Sequence, residues 1–191
     1  MGTPPRKLAL YGLAGSGKST VAASLKTGLE ERGHSVQVIK LAEPLYRLQS
    51  HIYATAGKPI GLWEHDNDVL RTTATWLRRI NPDYLADDFI ARVKASTASV
   101  VINDDMRDTA VDYPRLSGNA FSFVQITCAD EVRAQRLEAR GDHTVVPDSN
   151  ATWGYDTICP DYSVDTTMLE PRDLRDQVDT LLTKWLAQPP S

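Results

Sequence analysis

Apolar positions along this chain fall into two rhythms. Leu8–Tyr11, the alternating stretch Ser35–Lys40, the continuous run Ser99–Ile102, Phe121–Ile126 and Asp161–Asp165 are short segments that predict five strands. Between them the apolar spacing changes to three and four. Ser19–Arg32, the stretch from Pro44 to Ala56 with Leu45, Leu48 and Ile52, and Asp66–Ile80 each predict a helix. So does the segment after Asn81-Pro82-Asp83, striped by Tyr84, Leu85, Phe89, Ile90 and Val93. A further helix starts near Asp130, a good capping residue, and Leu174, Val178, Leu181, Leu182 and Trp185 stripe a closing one. Strands alternating with helices imply an α/β fold, a parallel sheet covered on both faces. Trp63 and Trp76 are expected in its core, the commoner fate of tryptophan.

The strand at Leu8–Tyr11 runs without pause into Gly12-Leu13-Ala14-Gly15-Ser16-Gly17-Lys18-Ser19-Thr20, which is GxxxxGKS between a strand and a helix. Glycines let the backbone turn so that successive N–H groups point into one concavity, and the positive end of the following helix adds to the same field. That pattern predicts a phosphate-binding loop in which Gly12, Ala14, Gly15, Ser16, Gly17, Lys18, Ser19 and Thr20 hold the phosphates of ATP. Lys18 would reach the β- and γ-phosphates, and the Ser19 hydroxyl would ligate magnesium. The dinucleotide fingerprint GxGxxG is absent, which argues against a Rossmann site.

Other candidate residues follow from where they stand along the chain. Glu43 precedes Pro44 at a strand-to-helix corner, beside the crevice where open α/β sheets bind ligands. Asn103-Asp104-Asp105-Met106-Arg107 ends the third strand, where a carboxylate can position a magnesium shell; Asp105, paired with Arg107 as D-x-R, is the first choice. On the 66–80 helix, Arg71, Thr75 and Arg78 share one face and Thr72, Trp76 and Arg79 an adjacent one. These arginines suit a solvated face as well as they suit an anion. Arg133, Arg136 and Arg140 lie close to one face of the later helix, where they repel one another by a few tenths of a kcal/mol per pair unless something negative sits opposite. A triphosphate would neutralise them. The polar stretch from Gly141 to Pro160, broken by glycines and prolines, suits a mobile lid or a surface loop.

Composition narrows the class. The 191 residues suggest one domain, and 21 basic against 25 acidic residues, a formal charge of −4, argue against a general surface for polymeric nucleic acid. Cys128 and Cys159 lack metal-ligand spacing and a disulfide framework, no apolar run reaches membrane-spanning length, and no signal-like segment opens the chain. The expectation is a soluble, cytoplasmic protein.

Taken in order, GLAGSGKST, LAEPL after strand two, RRINPDYLADDF, INDDMRD after strand three and the arginine-rich VRAQRLEARGD resemble the nucleoside monophosphate kinase family, and more narrowly the bacteriophage-type deoxynucleoside monophosphate kinases. The similarity runs through most of the chain. It implies a P-loop NTPase of adenylate-kinase-like, three-layer form over residues 1–191, with sheet order 2-3-1-4-5, an acceptor-binding region at about 43–97 and a lid at about 136–160. The implied activity is phosphoryl transfer from Mg-ATP to a (deoxy)nucleoside monophosphate. Lys18, Arg136 and Arg140 would hold the transferring group, Arg136 also touching ATP, and Ser19 and Asp105 would serve the magnesium, partly through water. Arg78 and Arg107 would take the acceptor phosphate and Glu43 a sugar hydroxyl, with Arg71, Trp76, Arg79 and Asp104 beside the acceptor. The Asp104-Asp105 doublet departs from the family pattern and leaves the magnesium carboxylate unassigned between the two. A homodimer is compatible with the resemblance, and base preference is open. Rival readings are a deoxynucleoside kinase, which also carries Glu-Pro after strand two, a dephospho-coenzyme A kinase, and, outside enzymes, a nucleotide-binding switch or assembly ATPase.

Overall fold

A computed structural model describes residues 4–139, 154–168 and 171–189 of the chain. Its described elements are β1 (Arg6–Tyr11), α1 (Lys18–Glu30), β2 (Val36–Val38), α2 (Glu43–Thr55), α3 (Asn67–Ile80), α4 (Tyr84–Ala95), β3 (Val100–Asn103), α5 (Asp112–Ser117), β4 (Ser122–Thr127), α6 (Asp130–Ala139), β5 (Tyr162–Asp165) and α7 (Pro171–Ala187). A 3₁₀ turn, Tyr155–Thr157, precedes β5. The expected helices and all five strands are present; α5, a single short helix between β3 and β4, is additional.

The five strands form one parallel sheet in the order β2-β3-β1-β4-β5, as expected. β1 lies at its centre, with Leu8 opposite Ile102 of β3 and Ser122 of β4. Alternation along the strands sorts the core into two layers. Leu8, Leu10, Val100, Ile102, Val124, Ile126 and Val164 face one way and pack against Val21, Leu25 and Leu29 of α1 and Val178, Leu182 and Trp185 of α7. Ala9, Tyr11, Val101 and Phe123 face the other way, onto Leu45 of α2, Leu85, Phe89 and Val93 of α4 and Leu116 of α5. Both faces being covered explains why β1 and β3 read as continuous apolar runs. Parallel strands all point their carboxyl ends the same way, so the loops after β1, β2 and β3 meet along one edge, and there the site forms.

Several apolar expectations fail. Trp63 and Trp76 are about half exposed, at 47% and 54%, and α3 has no buried residue at all. Trp63 stacks edge-on against Tyr46, and Arg79 lies over the Trp76 ring. Leu48, Ile52 and Tyr84 are also exposed, because only the side of each helix next to the sheet is covered. No helix among the described residues is long and apolar enough to cross a membrane.

Candidate active site

The loop after β1 is shaped by contacts that only glycine permits at two positions. At Gly12, with φ of 152°, a Cβ would lie 2.3 Å from the carbonyl oxygen of Ile126 in the neighbouring strand. At Gly15, with φ of 79°, it would lie 2.9 Å from Arg133 O on α6. The loop therefore presses against β4 and α6 at once. Its carbonyls turn outward to donors: Arg133 Nε donates to Ala14 O (3.0 Å), and Lys18 Nζ donates to Gly12 O (2.7 Å) and Leu13 O (3.0 Å). Thr166 Oγ1 lies 2.7 Å from Ser16 O, tying the end of β5 to the loop.

The opposite side of the loop faces the start of α1, whose N-cap is Gly17 with no side-chain cap. Its first N–H groups thus have no intrahelical partner, a ready anion site. Ser16 is buried, and its Oγ has no hydrogen-bond partner among the described residues. These features fit a bound phosphate chain. Burial, then the neighbouring Arg107 and Arg133 guanidiniums, lower the Lys18 pKa from 10.5 to about 8, opposed by Asp104 and Asp105. The ammonium sits in a setting that favours an added anion.

After β3 the two aspartates part company. Asp105 Oδ1 accepts the backbone N–H of Leu41 (2.7 Å) and Oδ2 that of Ala42 (3.0 Å), while Asn103 Nδ2 donates to Oδ1 at 2.7 Å. Both oxygens of the sequence-based first choice are thereby engaged at the β2–α2 corner, and burial raises its pKa. Asp104, also buried, pairs through Oδ1 with Lys40 Nζ at 2.7 Å. Ser19, at the mouth of the loop, is exposed, as is Thr20. Among the described residues no cluster of three or more His, Cys, Asp and Glu side chains could hold a metal by itself. A magnesium ion here would take most of its ligands from phosphates and water, with Ser19 and a single carboxylate of the chain.

The remaining candidates are distributed unevenly. Glu43 is the first residue of α2; its Oε1 accepts Arg47 Nη2 (2.6 Å) and its Oε2 accepts Arg92 Nη1 (3.0 Å). Arg107 is exposed, near Lys18, Tyr46 and Tyr155, and its guanidinium makes no hydrogen bond or ion pair among the described residues. Its backbone N–H and that of Asp108 donate to Asp112 Oδ2 at 3.2 and 2.9 Å. Arg78 Nε approaches Asp108 Oδ2 at 3.6 Å, which places it beside the same loop. Trp76, two residues earlier and so about 200° around the helix, points away from that loop. Arg71 pairs with Asp68 on the surface, and Arg79 stays with Trp76.

The arginine helix is neutralised in part by its own Asp130, beside which a triphosphate remains the expected partner of the rest. Arg133 Nη1 pairs with Asp130 one turn back (2.6 Å), and Arg136 donates to Thr166 O (2.8 Å) and Thr166 Oγ1 (3.0 Å). Arg140 and most of the 136–160 lid segment lie outside the described residues. Lys40, Arg92, Asn103 and Asp112 are the site residues that sequence reasoning missed. Arg92 carried one readable signal, its i,i+4 spacing from Asp88, and Asn103 another, as a polar residue closing an apolar strand.

Comparison with known proteins places this geometry. A family model described as an AAA domain matches residues 8–152. No curated protein matches the sequence. Among solved structures, the chain is similar to a shikimate kinase from Acinetobacter baumannii in complex with shikimate, at 16% identity, 96% of this chain and 94% of that one covered, TM-score 0.54. It is also similar to the Mycobacterium tuberculosis APS kinase in complex with AMPPNP and APS (17% identity, 96% and 100% covered, TM-score 0.53). A gluconokinase from Sinorhizobium meliloti 1021 is a third (18% identity, 95% and 93% covered, TM-score 0.51). At such identities the likeness is one of fold, and the fold is P-loop kinase-like.

Proposed function

Since the chain belongs to the AAA domain family, we propose that it is a phosphotransferase that moves the γ-phosphoryl group of Mg-ATP to the phosphate of a (deoxy)nucleoside monophosphate. The observation that carries this reading is the Arg107 guanidinium, unpaired among the described residues and close enough to Lys18 to lower its pKa. A second cation facing the phosphate loop from the β3 exit suits an acceptor that is itself an anion. The neighbouring Arg78 adds to that charge.

The chemistry asked of the chain is alignment and charge neutralisation. A phosphate oxygen is already ionised at neutral pH, so no general base is needed for its attack. The loop amides and Lys18 hold the donor phosphates, Arg136 stands beside the loop on the donor side, and Arg107 with Arg78 hold the acceptor phosphate. Magnesium, when bound, neutralises charge on the donor phosphates. Ser19 and Asp104 are the residues that would hold it; Asp104 replaces Asp105 in this role because three hydrogen bonds from Leu41, Ala42 and Asn103 fix Asp105, whereas Asp104 is held by Lys40 through Oδ1 alone. Glu43 accepts a sugar hydroxyl through Oε2, which takes one bond from Arg92 and keeps a lone pair, whereas Oε1 already accepts both Nε and Nη2 of Arg47.

A panel of monophosphates, nucleosides and small hydroxy acids in one coupled assay tests the reading. Expected is turnover of at least one deoxynucleoside monophosphate about a hundredfold faster than of the matching nucleoside, a difference of about 2.7 kcal/mol in activation. Faster turnover of free nucleosides, with kcat collapsing in Glu43→Gln, would make the protein a nucleoside kinase.

A further inference from the structure

The β2–α2 corner is held from the β3 side more completely than a turn requires. Asn103 Nδ2 donates to Ile39 O (3.0 Å), and Asp105 accepts the N–H groups of Leu41 (2.7 Å) and Ala42 (3.0 Å). Lys40 is anchored through its ammonium to Asp104 at 2.7 Å. Arg92 reaches the same corner from α4, on the opposite flank. Its Nη1 donates to Glu43 Oε2 (3.0 Å), its Nη2 to Lys40 O (3.0 Å) and its Nε to Asp88 Oδ2 (2.8 Å). One planar fork thus joins α4, the end of β2 and the first residue of α2.

Magnitudes decide which arginine orients Glu43. Arg47 is an i,i+4 partner with a side chain 69% exposed. Exposed helical pairs of this kind contribute little and are screened by salt. The Arg92 side chain is 24% exposed and already fixed by Asp88. Its guanidinium is therefore pre-organised before it meets Glu43, and less entropy is lost per bond formed. Lys40, whose carbonyl the same fork grips, carries the ammonium that holds Asp104. That contact is to the Lys40 backbone and leaves the bond between the Lys40 ammonium and Asp104 in place, so the acceptor-side carboxylate is the one Arg92 touches directly.

We propose that Arg92 is a positioning residue that presents Glu43 to the acceptor substrate. This rests on the kinase reading above, in which Glu43 meets the acceptor and not the nucleotide. Arg92 stands apart from the reacting groups because its Nε, Nη1 and Nη2 are each committed, to Asp88, Glu43 and Lys40 O in turn, and its guanidinium lies 5.9 Å from the Phe89 ring centroid. Its loss should show in acceptor binding, and only through Glu43.

The test first uses the acceptor panel to find the compound that the wild-type protein phosphorylates, and then measures Arg92→Met, Glu43→Gln and the double variant with that compound. Arg92→Met should raise acceptor KM roughly tenfold while leaving kcat and the KM for ATP within about threefold. In the Glu43→Gln background the same change should have almost no further effect, because its target is gone. Arg92→Lys, with the charge but not the fork, should fall between wild type and Arg92→Met. If Arg92→Met fails to fold, Arg92→Lys carries the same comparison. An acceptor KM within about twofold of wild type would overturn the proposal. So would additive effects in the double variant, or equal losses in acceptor KM, ATP KM and melting temperature, which mark a merely structural residue. The panel and the cycle fail separately. A neutral acceptor would refute the monophosphate reading while the cycle still decided Arg92. Absence of any acceptor would refute the kinase reading, and the Arg92 proposal with it.

Discussion

Lys18 should take up a proton when nucleotide binds above neutral pH. Before nucleotide binds, its pKa is lowered from 10.5 to about 8, first through burial and then through Arg107 and Arg133. At 1.36 kcal/mol per pH unit, this amounts to about 3 kcal/mol against the ammonium form. The sign follows from linkage. Between pH 8 and 10.5 the folded protein holds fewer protons at Lys18 than the unfolded chain, so this residue makes stability rise with pH in that window. A polyphosphate in the loop reverses the balance by supplying negative charge beside Nζ. At pH 9, one unit above the free-site value, about nine-tenths of Lys18 is neutral before binding, so close to one proton is taken up; at pH 7 the uptake is about one-tenth. Phosphate ionisations near pH 6 are complete by then and do not contribute. The assay is calorimetric titration of ATP without an acceptor, at pH 9, in buffers of different ionisation enthalpy. Affinity should also fall about tenfold per pH unit above 8. Uptake below about a third of a proton, or uptake unchanged in Lys18→Met, would refute the reasoning.

Gly12→Ala forces a Cβ to within 2.3 Å of Ile126 O, a backbone atom in a strand. Either β1 separates from β4 or the loop distorts, so the variant should lose ATP binding and at least about 1–3 kcal/mol of stability by chemical denaturation. Asp105→Asn puts an amide where two backbone N–H groups need acceptors. It should cost about 1–3 kcal/mol of stability, whereas Asp104→Asn should fold nearly normally and lose its response to magnesium titration in the kinase assay. Asp112, buried beneath the Arg107 loop, has its pKa raised from 3.8 to about 6, chiefly by burial. Its folded form binds the proton more tightly, so its contribution to stability falls as pH rises from about 4 to 6 and is flat above. Relative to wild type, Asp112→Asn should gain up to about 3 kcal/mol between pH 4 and pH 7 in denaturant titrations. A pH-independent difference would contradict the assigned burial cost.

The elements and the phosphate loop were legible because their causes are local. Strand and helix periodicities need only a few neighbouring residues, and GxxxxGKS encodes its own turn, anion pocket and helix start within eight positions of the chain. The strand order was expected from family resemblance, since periodicity alone says nothing about which strands pair. What only the tertiary structure decided is which polar groups meet. Asp104 and Asp105 are neighbours in sequence, and nothing local separates their roles; their partners Lys40, Leu41 and Ala42 lie 64, 64 and 63 residues away. Arg92 finds Glu43 across 49 residues, and Arg136 finds Thr166 across 30. The tryptophans went wrong for a related reason: periodicity predicts an apolar face, but burial needs a second surface to cover it, and α3 has only a partial one. A buried charge or hydrogen bond takes its energy from the groups opposite it, and those are brought there by the packing of the sheet, not by the spacing of the chain.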